Sequence, residues 1–112
     1  MVLSNEDLQR IKKLGYKVRE FALYEDGFYI LKNKNGYCVF LKNGKCSIYK
    51  NRPEGCKYYP LIFDVESNSV TIDKDCPKKE KFDLNNYLYL KTNVLHFVLR
   101  LFKEKEERKK RE

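Results

Sequence analysis

Three Asx-Gly dipeptides constrain this chain most: Asp26-Gly27, Asn35-Gly36 and Asn43-Gly44, each flanked by strand-forming residues. Asn and Asp tolerate a positive φ and glycine adopts it freely, so such pairs close tight hairpins. They cut residues 21–49 into Phe21–Glu25, Phe28–Asn33, Tyr37–Leu41 and Lys45–Tyr49, which read as an antiparallel β-meander. A two-residue loop at Asp26-Gly27 sets Tyr24 opposite Tyr29, with both rings on one face.

The same turns decide where sulfur goes. All four cysteines, Cys38, Cys46, Cys56 and Cys76, lie between residues 38 and 76, with 7, 9 and 19 residues separating them in turn. A two-residue loop at Asn43-Gly44 pairs Lys42 with Lys45 and points Cys38 and Cys46 to opposite faces. A three-residue loop, Lys42-Asn43-Gly44, pairs Leu41 with Lys45 instead and puts both sulfurs on one face. A shared centre therefore favours the three-residue loop, or else Cys38 sits just outside regular pairing. Downstream, residues 51–55 read as a turn with 3₁₀ character from Pro53, lifting Cys56 back toward Cys46. Leu61–Glu66 and Val70–Asp73 read as a hairpin around Ser67-Asn68 that returns the chain to Cys76 and Pro77.

Helices flank this middle. Ser4 is a natural N-cap, Asp7 stands at the capping-box position, and Leu3 and Leu8 form a hydrophobic staple. Leu8, Ile11 and Leu14 make the apolar stripe of that short helix, and Gly15 is placed to end it. At the other end, Asp83 caps a long helix running to about Glu107. Its stripe is Tyr87, Leu88, Val94, Leu95, Val98, Leu101 and Phe102, with Leu90 and Phe97 on a neighbouring face. So wide an apolar arc is either well buried or meets a second subunit, which would make a homodimer through the long helix. The expected fold is α+β: a short N-terminal helix, the meander with cysteine-bearing turns, and a long C-terminal helix. At 112 residues the chain is a single domain, residues 1–112, with a charged helical tail at about 103–112.

Charge and hydropathy narrow the function classes. The net charge is +8, from 24 Lys and Arg against 16 Asp and Glu. It admits a basic binding module for RNA or a partner protein, with Tyr24, Tyr29 and nearby lysines as the stacking face. Equally, it follows from a Lys-rich composition, and the tail mixes both signs as a solvated helix end does. No apolar run reaches the roughly 18 residues of a membrane helix, and residues 1–15 hold no secretory core. The expectation is a cytoplasmic protein, where clustered cysteines serve more often as metal ligands than as disulfides. Four thiolates can hold Zn²⁺ or an iron–sulfur cluster, but spacing without a Cys-x-x-Cys knuckle leaves disulfides and plain buried thiols open. His96 falls mid-helix beside the apolar stripe, in a packing or surface position. The glycines are isolated turn residues and form no phosphate-binding run, so no independent enzyme is indicated.

The run Cys46-Ser47-Ile48-Tyr49, Arg52-Pro53, Cys56, Tyr59-Pro60 closely resembles the YkgJ-type cysteine-cluster family of zinc- or iron-chelating domains. Gly36–Leu41 ahead of it, Cys76-Pro77 after it, and the opening Leu3-Ser4, Asp7-Leu8, Arg10-Ile11, Leu14-Gly15 fit the same pattern. The resemblance implies one zinc or iron–sulfur centre, mainly structural, ligated by Cys38, Cys46, Cys56 and Cys76. Around it, Arg52 would brace the turn or shield thiolate charge, and Tyr49 and Tyr59 would pack on the centre and donate hydrogen bonds to sulfur. A related cluster in flagellin lysine methylases implies an alternative, an iron–sulfur component of a protein-modifying enzyme. The departure is a Cys-x-x-x-x-Cys-Cys group that family members carry before the first helix, so a short form without that group is expected here.

Overall fold

The computed structural model describes residues 1–73 and 88–112. Expectations for Cys76, Pro77, Asp83 and Tyr87 fall outside those residues. The fold is α+β, with a short N-terminal helix, small antiparallel sheets and a long C-terminal helix.

Helix α1 (Asn5–Lys12) starts where the cap chemistry puts it. The Ser4 hydroxyl accepts from Asp7 N at 3.1 Å, and the Asp7 carboxylate accepts from Ser4 N at 3.0 Å, closing the capping box. Leu3, Leu8 and Ile11 are buried, but Leu14 lies past the helix end and is exposed, so the stripe stops at Ile11. Strand β1 (Val2–Leu3) precedes the helix, and a single helical turn, α2 (Val18–Phe21), follows. That turn takes Phe21 out of the first expected strand and buries its ring completely.

Strands β2 (Ala22–Glu25) and β3 (Phe28–Leu31) then form a sheet of order β1-β3-β2, with Tyr24 opposite Tyr29 as expected. The expected meander continues only in pieces. β4 (Asn33–Lys34) pairs with β5 (Tyr37–Cys38), and β6 (Leu41–Lys42) with β7 (Lys45–Cys46), as separate two-stranded ladders. In each Asx-Gly turn both residues have positive φ, for example 52° and 76° at Asn43 and Gly44, the geometry of a type I′ turn. Turns this frequent leave two-residue arms, and between them the chain bends to bury Leu31, Phe40 and Ile48 beside Leu3, Ile11 and Phe21.

Next come a 3₁₀ turn at Tyr49–Asn51 and helix α3 (Glu54–Tyr58). The helical start expected at Pro53 is thus an α-helical turn with Pro53 at its N-cap, while the 3₁₀ geometry lies before it. β8 (Leu61–Asp64) and β9 (Ser69–Ile72) make the expected hairpin, in which Asp64 pairs with Ser69. Helix α4 (Leu88–Arg111) packs on that hairpin through Leu61, Val70 and Val94.

The faces of α4 differ from expectation. Val94, Phe97, Leu101 and Glu104 point inward, while Leu88, Leu95, Leu99 and Phe102 are exposed. A buried Glu104 sets this rotation, because it accepts from Asn5 N at 2.9 Å and faces Arg108 at 3.8 Å. Hydropathy cannot register a charged residue as a core position. Phe97, read as the outlying face, is therefore part of the core. No helix among the described residues is long and apolar enough to cross a membrane.

Candidate metal centre

Cys38 ends β5, Cys46 ends β7, and Cys56 lies in α3. The three line one pocket of about 440 Å³, together with Leu41, Tyr49, Arg52, Lys57 and Tyr59. The hairpin register behind this corrects the favoured expectation. Lys42 pairs with Lys45 and Leu41 with Cys46, so Asn43-Gly44 is a two-residue loop. Cys38 is not outside regular pairing either: it lies opposite Asn33 in the neighbouring ladder, apart from the Asn43-Gly44 hairpin. Two cysteines that one hairpin would hold on opposite faces meet because they belong to different ladders. Ser47 N donates to Phe40 O at 2.8 Å where those ladders adjoin.

The thiols also sense one another. Burial first, then the neighbouring Cys38 and Cys46 and the Asp7 carboxylate, pushes the Cys56 thiol up to about 11. An all-sulfur donor set of this kind suits zinc or iron in residue type. Among the described residues, no three His, Cys, Asp or Glu side chains form a group at coordinating spacing. His96 is exposed on α4 and does not line the pocket.

Helix α1 reaches across to hold the cysteine-bearing turn. Asp7 is fully buried, and its Oδ1 accepts from Glu54 N at 3.0 Å and from Arg10 Nη2 at 2.7 Å. Arg10 Nη2 also donates to Arg52 O at 2.9 Å. One helix thereby fixes both sides of Pro53, three residues before Cys56 in α3. From the opposite side, Arg100 grips the Glu54 carboxylate with two hydrogen bonds, at 3.0 and 3.3 Å, and Tyr58 donates to it at 2.7 Å. Sequence reading recognised Asp7 only as a cap, because its bond to Glu54 spans 47 residues and has no local pattern.

The predicted surrounding residues fall at the rim. Arg52 donates to Tyr49 O at 2.9 Å and lies over the Tyr49 ring at 4.2 Å, so it braces the turn through a carbonyl and an aromatic face. Tyr49 and Tyr59 are largely exposed, and the Tyr59 hydroxyl donates to Asp73 at 2.9 Å. On the other sheet, Tyr24 and Tyr29 meet edge to face at 5.0 Å. The end of α4 lies over that pair: Arg108 sits 4.8 Å above Tyr29, and Tyr24 donates to Glu112. A face occupied in this way offers bases no open stacking platform.

Over residues 1–87 the chain matches the family model described as "CxxCxxCC: Putative zinc- or iron-chelating domain". The match takes in α1, the three cysteines of the pocket and Cys76. The chain itself has none of the closely spaced cysteines that the label spells. No curated protein and no solved structure matches it.

Proposed function

The chain belongs to the CxxCxxCC family of zinc- or iron-chelating domains, and from that premise we propose that it binds one zinc ion or iron–sulfur cluster in a mainly structural role. The ligands in this reading are Cys38, Cys46, Cys56 and Cys76. One observation carries it: three cysteines from three separate elements line the same pocket. Bound there, zinc would supply a tetrahedral cross-link, and a cluster would add one-electron chemistry.

The chain's own residues prepare the place. Asp7 and Arg10 hold the Arg52–Glu54 backbone, which sets the position of α3 and hence of Cys56. Arg52 and Lys57 bring positive charge to the pocket, offsetting the charge that thiolates develop when they lose their protons. Free thiols persist in reducing surroundings, so we place the protein in the cytoplasm.

The test is elemental analysis and an absorbance spectrum of protein purified anaerobically with its thiols intact. About one zinc per colourless chain, or iron with sulfur-to-iron charge-transfer bands, is the expected result. Metal-free protein whose four thiols titrate as free, and which takes up neither zinc nor iron on reconstitution, would overturn the proposal.

A further inference from the structure

Beside Cys56 lies a sulfur that is not a cysteine. Met1, the single methionine of the chain, accepts a hydrogen bond at Sδ from Cys56 Sγ, with the two sulfurs 3.1 Å apart. Two features hold it there. Leu31 N donates to Met1 O at 2.8 Å, extending the β1–β3 ladder by one residue. Gly55, next to Cys56, leaves the space that the thioether fills: a Cβ at Gly55 would come within 3.2 Å of Met1 Sδ and 3.4 Å of its methyl carbon.

The glycine has no backbone reason to be there. Gly55 is within α3 and is not among the residues of positive φ, so its conformation is open to alanine. Glycine inside a helix costs about 1 kcal/mol relative to alanine. What an alanine would disturb is the Met1 side chain.

We infer that the Met1 thioether, which lines the apolar pocket beside Gly55 and meets the cysteine pocket only through Cys56, gives this protein a thiolate–thioether pair with Cys56 that takes a soft monovalent cation, Cu(I) or its analogue Ag(I). The inference rests on the proposed thiolate centre in needing Cys56 as a ligand. A thioether is neutral and soft, so it adds donor strength toward Cu(I) without adding charge, and does little for Zn²⁺. Binding would exchange the Cys56 thiol proton, released to solvent, for a metal–sulfur bond, with no change of oxidation state.

The single methionine makes the test direct. Intact mass first shows that Met1 is retained. Selenomethionine then places one selenium in the chain, and its X-ray absorption fine structure is recorded after anaerobic loading with Cu(I) or Ag(I). A metal neighbour in the selenium's first shell is expected, and carbon neighbours alone would overturn the inference. Replacing Met1 by norleucine, and separately Gly55→Ala, should each weaken Cu(I) binding in competition with bicinchoninate by the roughly tenfold typical of losing a group beside a metal ligand. Zn²⁺ affinity should stay within about twofold. Unchanged Cu(I) affinity in both variants would also overturn the inference. A wild-type protein that binds no zinc or iron sinks the proposed function instead, and the selenium spectrum still reports on Met1.

Discussion

The Asp7 carboxylate receives three donors from three places: Ser4 N, the Arg10 guanidinium and Glu54 N. Asparagine keeps the shape but removes the charge and turns one acceptor into a donor, which faces donors already present. Asp7→Asn should cost about 2 kcal/mol in urea unfolding, the scale of losing hydrogen bonds to a charged group. If α1 positions Cys56 through this residue, metal affinity should fall in parallel; a stability loss with unchanged metal affinity would confine Asp7 to capping. A second residue gives a pH test. Burial, then the hydrogen bond to Glu54, pushes the Tyr58 phenol up to about 12 from the ordinary 10.0. Raised in the folded state, it contributes stability fully present below about pH 10 and lost as pH climbs toward about 12. In a tyrosinate absorbance titration of the folded protein, Tyr58→Phe should remove one late-titrating phenol. Removal of an early one would contradict this environment.

At the level of elements, what the sequence disclosed was what short-range chemistry decides. The Ser4–Asp7 capping box and the type I′ turns need only neighbours within a few residues, and both occur as read. The arms between the turns did not join into one sheet, since burying Leu31, Phe40 and Ile48 bends the chain between them. The convergence of Cys38, Cys46 and Cys56 was legible as an aim but not as a route. Register alone argued for a wider loop, whereas the ladders separate at Val39 and Phe40. On α4 the error was one of rotation, caused by the inward Glu104. Phe97 and Leu95 test it. Phe97, outside the expected stripe, is 5% exposed, and Leu95, inside it, 36%. Phe97→Ala should cost about 3–5 kcal/mol, and Leu95→Ala about 1 kcal/mol or less. A larger loss at Leu95 than at Phe97 would restore the stripe expected from hydropathy.

Across the molecule, the described residues pack into two apolar clusters, one around Phe21 and Phe40 and one between α4 and the β8–β9 hairpin. The cysteine-bearing α3 stands between them, bonded to α1 through Asp7 and to α4 through the Glu54–Arg100 pair. A metal held by α3 and the two ladders would therefore tie together elements that no hydrogen bond among the described residues joins directly. Small cores commonly need such a staple. A ligand that binds only the folded state stabilises it by RT ln(1 + [L]/Kd), about 4 kcal/mol at a thousandfold excess over Kd. Unfolding under reducing conditions should accordingly shift to lower urea as free zinc is buffered downward, by up to that amount across three decades of zinc. Cys56→Ser should flatten the dependence while leaving Tyr24, Tyr29 and the first sheet intact, since none of their bonds passes through the pocket. If wild-type stability ignores the zinc buffer although metal demonstrably leaves, the centre is not a staple. The open pocket and its cationic rim would then point to chemistry at the metal rather than to structure.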